Sequence, residues 1–424
     1  DVLGTTAGPF HFGVRAPDGT YLDPVAVLEG RLRAPARLVP GADEGERPLW
    51  EERSGLLQVV LDAAADTTAA IGAEVRQGVD LSRLALHYAI ELDPATHAAR
   101  LAEATWDWWR QSTTCTDASD PTPVVGDGRI LVEVSGLGTA STSNSAWELD
   151  ATSLGYSSTA VVHFSYRGGR APDDGASDVG LPSVPMRAFT SIDSQQSIDM
   201  SAQRLAALLD SVAHDRPGVP IDVVAHSQGG VVARLAIERA GDSGRLPDEV
   251  ASLVTIGSPH QGAPLATSVD ALGRSGAGER ALDALRGSTA TGPLDDRLPA
   301  IGQLAETSAL IAELHRREVP DRVRFVTIGS AGDLTVPGTA AVDRAADARI
   351  VLDRSIGPSV HGDQMRDPEV TREVALAVAG RSPSCRSLAS TLGAWARAEG
   401  VRTAETTAGA LATGLAVVAP APPR

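Results

Sequence analysis

The sequence predicts an α/β protein: a mostly parallel β-sheet with helices on both faces. Two observations predict it. Between about residues 128 and 380, apolar runs of strand length alternate with segments whose apolar residues recur every three or four positions. One of these runs, Ile221-Asp222-Val223-Val224-Ala225, passes through His226-Ser227-Gln228-Gly229-Gly230 directly into a helical pattern. In open parallel sheets, ligands bind at the edge formed by such strand ends.

Taken in order, residues 1–50 hold few periodic segments and several turn signals, including Pro17-Asp18-Gly19 and Pro40-Gly41. Leu57, Leu61, Ala64, Thr68, Ile71 and Val75 then predict one face of an amphipathic helix. A second helical stretch spans about 80–110, interrupted near Asp93-Pro94, and ends in Trp106, Trp108 and Trp109. These tryptophans read as a packing surface for the helical region, or else as an aromatic wall for an apolar ligand. Residues 117–127 form a Pro/Asp/Thr/Gly-rich linker.

Strands are expected at 130–134, 159–164, 221–225, 250–256, 323–328 and 350–352. Helices are expected where Ile198, Ala202, Leu205, Leu209 and Val212, and then Val231, Leu235 and Ile237, fall at helical spacing. Val-Thr-Ile-Gly-Ser occurs at both Val254–Ser258 and Val326–Ser330, as in two adjacent strands ending alike at one sheet edge. The organisation expected is a mainly helical N-terminal region (1–120), an α/β domain (121–385) with an insertion at about 263–322, and a C-terminal helical extension (386–424). Within the insertion, helices are expected at 268–285 and 301–317, separated by a Gly/Thr/Pro link at 287–293.

Composition excludes several functions. The chain has 424 residues, 42% of them apolar, enough for a sizeable core. Its 37 basic residues, all Arg, stand against 54 acidic ones, for a net charge of −17. Nucleic-acid binding needs a positive footprint and is not expected. Electrostatic docking on an anionic membrane is disfavoured too, whereas hydrophobic contact with a lipid interface stays open. Cys115 and Cys385 are too few for a cysteine-built zinc site. They form either one disulfide, tying the N-terminal region to the C-terminal end, or two free thiols. With the bond, the compartment is oxidising. No apolar run is long enough to span a bilayer. The chain begins at Asp1 rather than Met, so a removed leader or a trimmed chain is expected. An extracytoplasmic or secreted location is the expectation, with a cytoplasmic one as the alternative. Oligomeric state is not legible.

The chemistry centres on Ser227. It sits in a strand-to-helix turn, with small residues two before (Ala225) and two after (Gly229). Such a turn is too tight for larger neighbours, lifts the hydroxyl clear of the sheet and aims a helix start at it. A serine hydroxyl needs a base oriented by a carboxylate. His361, in the loop after the last strand, is the expected base, with His260 in Gly257-Ser258-Pro259-His260-Gln261-Gly262 as its rival. His226 should point away from Ser227, into the packing. Asp333, in Gly332-Asp333-Leu334-Thr335-Val336-Pro337 after the strand at 323–328, is the expected acid. The backbone N–H groups of Gln228 and of Leu137, in Ser135-Gly136-Leu137-Gly138-Thr139, are the expected oxyanion donors. Gly136, His260 and Tyr166 are expected to contact substrate. No metal or organic cofactor is needed.

Residues from about 128 to 380 resemble an α/β-hydrolase of the bacterial lipase and esterase type. The resemblance rests on Ala225-His226-Ser227-Gln228-Gly229-Gly230 at the nucleophile and on Gly257-Ser258-Pro259-His260-Gln261-Gly262-Ala263-Pro264 after the next strand. It extends to Asp333 and to Val360-His361-Gly362-Asp363. Ser135-Gly136-Leu137-Gly138 resembles the family's His-Gly-x-Gly oxyanion segment, with Ser135 in place of the usual His. The resemblance implies hydrolysis of small-molecule or lipid esters with apolar acyl groups, through an acyl-enzyme on Ser227. A thioesterase or acyltransferase would use the same residues, and a non-catalytic binding protein is the remaining reading. The resemblance also implies that the 263–322 insertion caps the site, as a mobile lid in a lipase, or is a plain surface excursion. The loop from Gly168 to Pro185, flanked by Tyr166 and Phe189, is a second candidate cover.

Overall fold

The computed structural model describes residues 14–15, 21–22, 81–143, 147–172, 180–274, 278–279, 282 and 294–414. The expected helix at 57–75 and the link at 287–293 lie outside them. The chain divides into two compact units, Asp1–Pro48 and Leu49–Arg424. In the first, β1 (Val14–Arg15) pairs antiparallel with β2 (Tyr21–Leu22), the two strands flanking the Pro17-Asp18-Gly19 turn signal.

The second unit is built on a six-stranded sheet of β3 (Ile130–Val134), β4 (Val161–His163), β5 (Ile221–His226), β6 (Val250–Ile256), β7 (Arg324–Ser330) and β8 (Ala348–Leu352). The strand order is β4-β3-β5-β6-β7-β8, and every pairing is parallel. In the β6–β7 pair, Val254, Thr255 and Ile256 stand opposite Val326, Thr327 and Ile328, so the first three residues of the repeated pentapeptide pair in register.

Side chains alternate across a strand, which gives the sheet two cores. On one face Val132, Val223, Leu253 and Phe325 pack with α3 (Ile198–Asp215) and α4 (Gln228–Asp242). On the other, Leu131, Val224, Val254 and Val326 pack with α8 (Pro368–Val378). Burial on both faces is why β5 reads as a near-continuous apolar run. Its one charged residue, Asp222, is fully buried and satisfied by Arg129 (2.7 and 2.6 Å), Tyr156 Oη (2.7 Å) and Ser252 Oγ (2.7 Å).

Two helices precede the sheet. α1 (Leu81–Glu91) ends at the expected break, and Asp93 then caps α2 (Pro94–Ser112) by accepting from the Ala95 N–H at 2.9 Å. The inward face of α2 carries Ala104 and Asp107, with Trp108 donating its indole N–H to Arg386 O at 2.8 Å. Trp106 and Trp109 lie on the opposite face, 60% and 54% exposed, with ring centroids 5.0 Å apart. Of the three tryptophans, then, only Trp108 joins this helix to its neighbour.

After β8 and α8, the chain closes with α9 (Leu388–Ala412), which packs on α2 and on α5 (Pro264–Gly273). Cys115 and Cys385 form a disulfide at the point where α2 ends and α9 is about to begin. Backbone bonds between Thr116 and both Pro383 (2.9 Å) and Cys385 (2.8 Å) hold the same junction. The bond spans 270 residues of chain, and closing so long a loop removes about 5.6 kcal/mol of unfolded-state entropy in the chain-entropy model.

In the insertion, α5 is followed among the described residues by helical residues 278–279 and 282, then by α6 (Pro299–Gln303) and α7 (Ala309–Leu314), and much of the helix expected at 268–285 lies outside the described residues. The helix expected at 301–317 is interrupted because Ala305 pairs with Ala263, and Ser308 starts a new helix by capping the Ile311 N–H at 3.1 Å.

Where α1, α2, the insertion and α9 meet, the core is ionic. Arg100 bridges Glu91 (2.7 Å) and Glu399 (2.6 Å), and Arg402 bridges Glu91 (3.0 Å) and Glu306 (2.8 Å). Glu405 lies on the same side of α9, 2% exposed, with neither carboxylate oxygen hydrogen-bonded. Burial, and then the nearby charges of Asp333 and Glu306, push its pKa well above the ordinary 4.5, against an opposing pull from Arg402. The folded-state pKa is thus raised above the unfolded one. Native stability from this group is therefore intact below about pH 4.5 and is lost as pH climbs from there towards the folded value. Glu405→Gln removes the titration. Thermal melts should find the variant no more stable than the parent at pH 4, and more stable at pH 9.

Candidate active site

The strand-to-helix turn at Ser227 is strained in the way its neighbours require. Ser227 has φ 56° and ψ −134°, and among the described residues it is the only non-glycine with positive φ. Backbone in this region costs an L-residue about 1–3 kcal/mol, so surrounding structure must impose it. Here the Ser227 N–H donates to Ile256 O (2.9 Å) on β6, and the Gly230 N–H donates to Ser227 O (3.0 Å). At Gly229 a Cβ would sit 2.4 Å from Ser135 O and 2.5 Å from Val134 O. Only glycine lets α4 start this close to β3. That start points the positive end of a 15-residue helix at the serine hydroxyl.

His361 lies in a one-turn helix, Val360–Asp363, beyond β8. Its Nε2 is 2.9 Å from Ser227 Oγ, and its Nδ1 is 2.7 Å from Asp333 Oδ2. Asp333 follows β7 and is fully buried. Its Oδ1 accepts the backbone N–H groups of Thr335 (2.8 Å) and Val336 (3.0 Å), and its Oδ2 also accepts Gln364 Nε2 (2.7 Å). A carboxylate can only accept, so His361 Nδ1 carries the proton and Nε2 is free to accept from the serine hydroxyl. Ser227, Asp333 and His361, taken from three strand ends in that chain order, thus form one hydrogen-bonded line.

The turn after β3 crosses directly over the serine. A Cβ at Gly136 would lie 2.8 Å from Ser227 Cβ and 3.2 Å from its Oγ, so glycine keeps the space above the hydroxyl open. The turn is braced by Thr139 Oγ1, which donates to Gly136 O (2.7 Å) and lies 2.9 Å from Ser135 Oγ. Leu137 is partly buried against the core that includes α3 and α4. Gln228 opens α4, and its side chain donates to Ser194 O at 3.0 Å.

The parallel sheet, its strand order and this placement of the three side chains decide the architecture. The chain has the α/β-hydrolase fold. A family model described as a domain of unknown function, DUF7379, matches residues 196–272. No curated protein matches the chain. Among similar solved structures, the metagenomic carboxyl esterase MGS0156 is 17% identical, over 62% of this chain and 78% of that one, with a TM-score of 0.36. The mature Bacillus licheniformis lipase BlEst2 is 14% identical, over 58% of this chain and 91% of its own, with a TM-score of 0.35. Aspergillus fumigatus lipase B is 14% identical, over 69% and 65% respectively, at 0.35.

Two of the expected substrate contacts have other surroundings in this α/β-hydrolase fold. Tyr166 is fully buried, and its hydroxyl donates to Ser135 O at 2.6 Å, so it braces the turn from behind and offers no surface to a ligand. Burial raises its pKa, and the hydroxyl stays a donor. His260 is also fully buried, with Nε2 2.8 Å from Thr255 Oγ1 and its ring edge-on to Phe325. Burial lowers its pKa to about 3. It lies inside the packing, so it is neither base nor substrate contact.

No sequence pattern pointed to Gln364, which is 2% exposed and bonds the same Asp333 oxygen as His361. It stands three positions after His361 in a polar stretch, where nothing distinguishes it from a surface residue. The insertion, for its part, is tied laterally into the fold. Gln303 accepts from the Ile198 N–H (2.7 Å) and donates to Asp199 (2.7 Å), both on α3, while α5 packs on α9. A cavity of about 540 Å³ between α1 and the insertion is lined by residues including Arg83, Asp270, Arg274, Gln303 and Glu313, and by none of Ser227, Asp333 and His361. Among the described residues, no group of His, Cys, Asp and Glu is arranged to hold a metal, and no helix is long and apolar enough to cross a membrane.

Proposed function

We propose that this protein is a serine hydrolase cleaving carboxylic esters with apolar acyl groups, a lipase or esterase. The observation that carries the reading is the continuous line Ser227 Oγ to His361 Nε2 (2.9 Å) and His361 Nδ1 to Asp333 Oδ2 (2.7 Å). In this reading Ser227 attacks the ester carbonyl while His361 takes its proton. The backbone N–H groups of Gln228 and Leu137 stabilise the oxyanion, a contribution of about 3 kcal/mol per donor. Asp333 stabilises the imidazolium, which then protonates the leaving alcohol. Water, activated by the same imidazole, hydrolyses the acyl-enzyme and regenerates Ser227.

Two exposed apolar side chains support an apolar acyl group. Ile192, 58% exposed, belongs to the short helix whose Ser194 carbonyl is bonded by Gln228. Ile356, also 58% exposed, precedes Gly357, whose N–H donates to Gly332 O beside Asp333. The Cys115–Cys385 disulfide supports an extracytoplasmic location. The test is a series of p-nitrophenyl esters of increasing acyl length. Turnover rising from acetate to medium or long chains is expected. A maximum at acetate would overturn the lipase version, and absence of turnover on every ester would overturn ester hydrolysis itself.

A further inference from the structure

The base of this site is carried by a surface loop, its own imidazole 14% exposed. Residues 353–363, which include His361, contain no buried residue, whereas Asp333 is fully buried and Ser227 leaves the buried strand β5. A side chain on such a loop needs its main chain held from elsewhere. One hold comes from the residue next to the nucleophile: His226 Nε2 lies 2.9 Å from the backbone oxygen of His361, with the two rings tilted by 37° and 4.8 Å apart. A carbonyl oxygen only accepts, so Nε2 of His226 carries a proton and donates it. His226 is accordingly the neutral tautomer with Nδ1 bare. Burial and then the neighbouring His361 lower its pKa to about 3, which keeps a second positive charge away from the imidazolium that His361 must become.

We propose that His226 is a positioning residue whose Nε2–H ties the main chain of His361 to the end of β5 and so holds the imidazole between Ser227 and Asp333. The proposal rests on the serine-hydrolase reading above. Its consequence depends on the stage of turnover. Before acylation the imidazole has two side-chain partners, Ser227 and Asp333. Once Ser227 carries the acyl group its hydroxyl proton is gone, and the imidazole keeps only Asp333. The main-chain tether from His226 is unaffected by acylation, so it matters most while the acyl-enzyme waits for water.

The experiment uses the full chain with three substitutions. His226→Gln keeps an N–H at about the same reach, His226→Asn falls short of the carbonyl, and His226→Phe keeps the ring without a donor. Pre-steady-state release of p-nitrophenol separates acylation (the burst) from deacylation (the steady phase). A displacement of about 1 Å at a catalytic group costs about 100-fold. We therefore expect a steady-state rate about ten- to a hundredfold lower in the Asn and Phe variants, with the burst rate less affected, KM lowered in step with kcat so that kcat/KM, which reports acylation, changes little, and the Gln variant close to the parent. Should the Phe variant fail to fold, the Gln and Asn pair, matched in melting temperature, decides. Equal steady rates in that pair, or burst and steady phases slowed alike, overturn the proposal. Failure of the parent to be labelled by a fluorophosphonate, or labelling that survives Ser227→Ala, overturns the hydrolase reading and the proposal with it.

Discussion

Replacing Ser227 by Ala is expected to lower kcat by about 10⁶-fold and to abolish fluorophosphonate labelling, with the melting temperature unchanged. The size follows from the role proposed for the residue: without Oγ no acyl-enzyme forms, and His361 has no proton to take. The unchanged stability follows from the backbone. The cost of the φ of 56° arises between Cβ and the following carbonyl, and alanine has the same Cβ. The hydroxyl, moreover, is bonded to the imidazole of His361, which is 14% exposed, and not to the apolar core. Ester turnover by Ser227→Ala at more than about a hundredth of the parental rate would show that the chemistry lies elsewhere.

Asp333→Asn is expected to cost about 10⁴-fold in kcat, with KM little changed. All four ligands of this carboxylate are donors: two backbone N–H groups on Oδ1, and Gln364 with His361 on Oδ2. An amide cannot accept on both sides. With its nitrogen at the Oδ1 position it meets two N–H groups. With its nitrogen at the Oδ2 position it meets the Gln364 amide and drives His361 into the tautomer whose Nε2 bears the proton. That tautomer cannot accept from Ser227. The pH profile separates the two arrangements. In the second, activity recovers as pH rises and the serine proton is lost directly to solvent. In the first, the profile keeps its parental shape at a reduced level. A variant within about tenfold of the parent would mean that the carboxylate orients nothing.

How much of this was legible beforehand depended on whether a feature leaves a local trace. The sheet did, because burial on both faces writes short unbroken apolar runs. The repeated Val-Thr-Ile even revealed neighbouring strands that pair residue for residue. The turn at Ser227 did as well, since its crowding against Val134 and Ser135 admits only glycine at 229. Asp333 and His361 were singled out from chain order and strand ends, and the structure hydrogen-bonds them to each other. What escaped were contacts between a side chain and a distant backbone or carboxylate: His226 with the His361 carbonyl, Tyr166 with the Ser135 carbonyl, Gln364 with Asp333. Such pairs have no periodicity, and each residue type has many commoner uses. Tyr166 and His260 were misread because position at a sheet edge does not say which way a side chain turns. The helix expected at 301–317 was misread as continuous because its apolar spacing runs on through Ala305, whose pairing with Ala263 interrupts it.

The sulfur bridge between Cys115 and Cys385 turns the middle of the chain into a covalent ring. Strands β3 to β8 lie inside it, as do Ser227, Asp333 and His361, while α2 enters and α9 departs at a single knot. Severing one peptide bond anywhere in that ring would open a loop without dividing the molecule, so the three side chains stay on one covalent body for as long as the knot is oxidised.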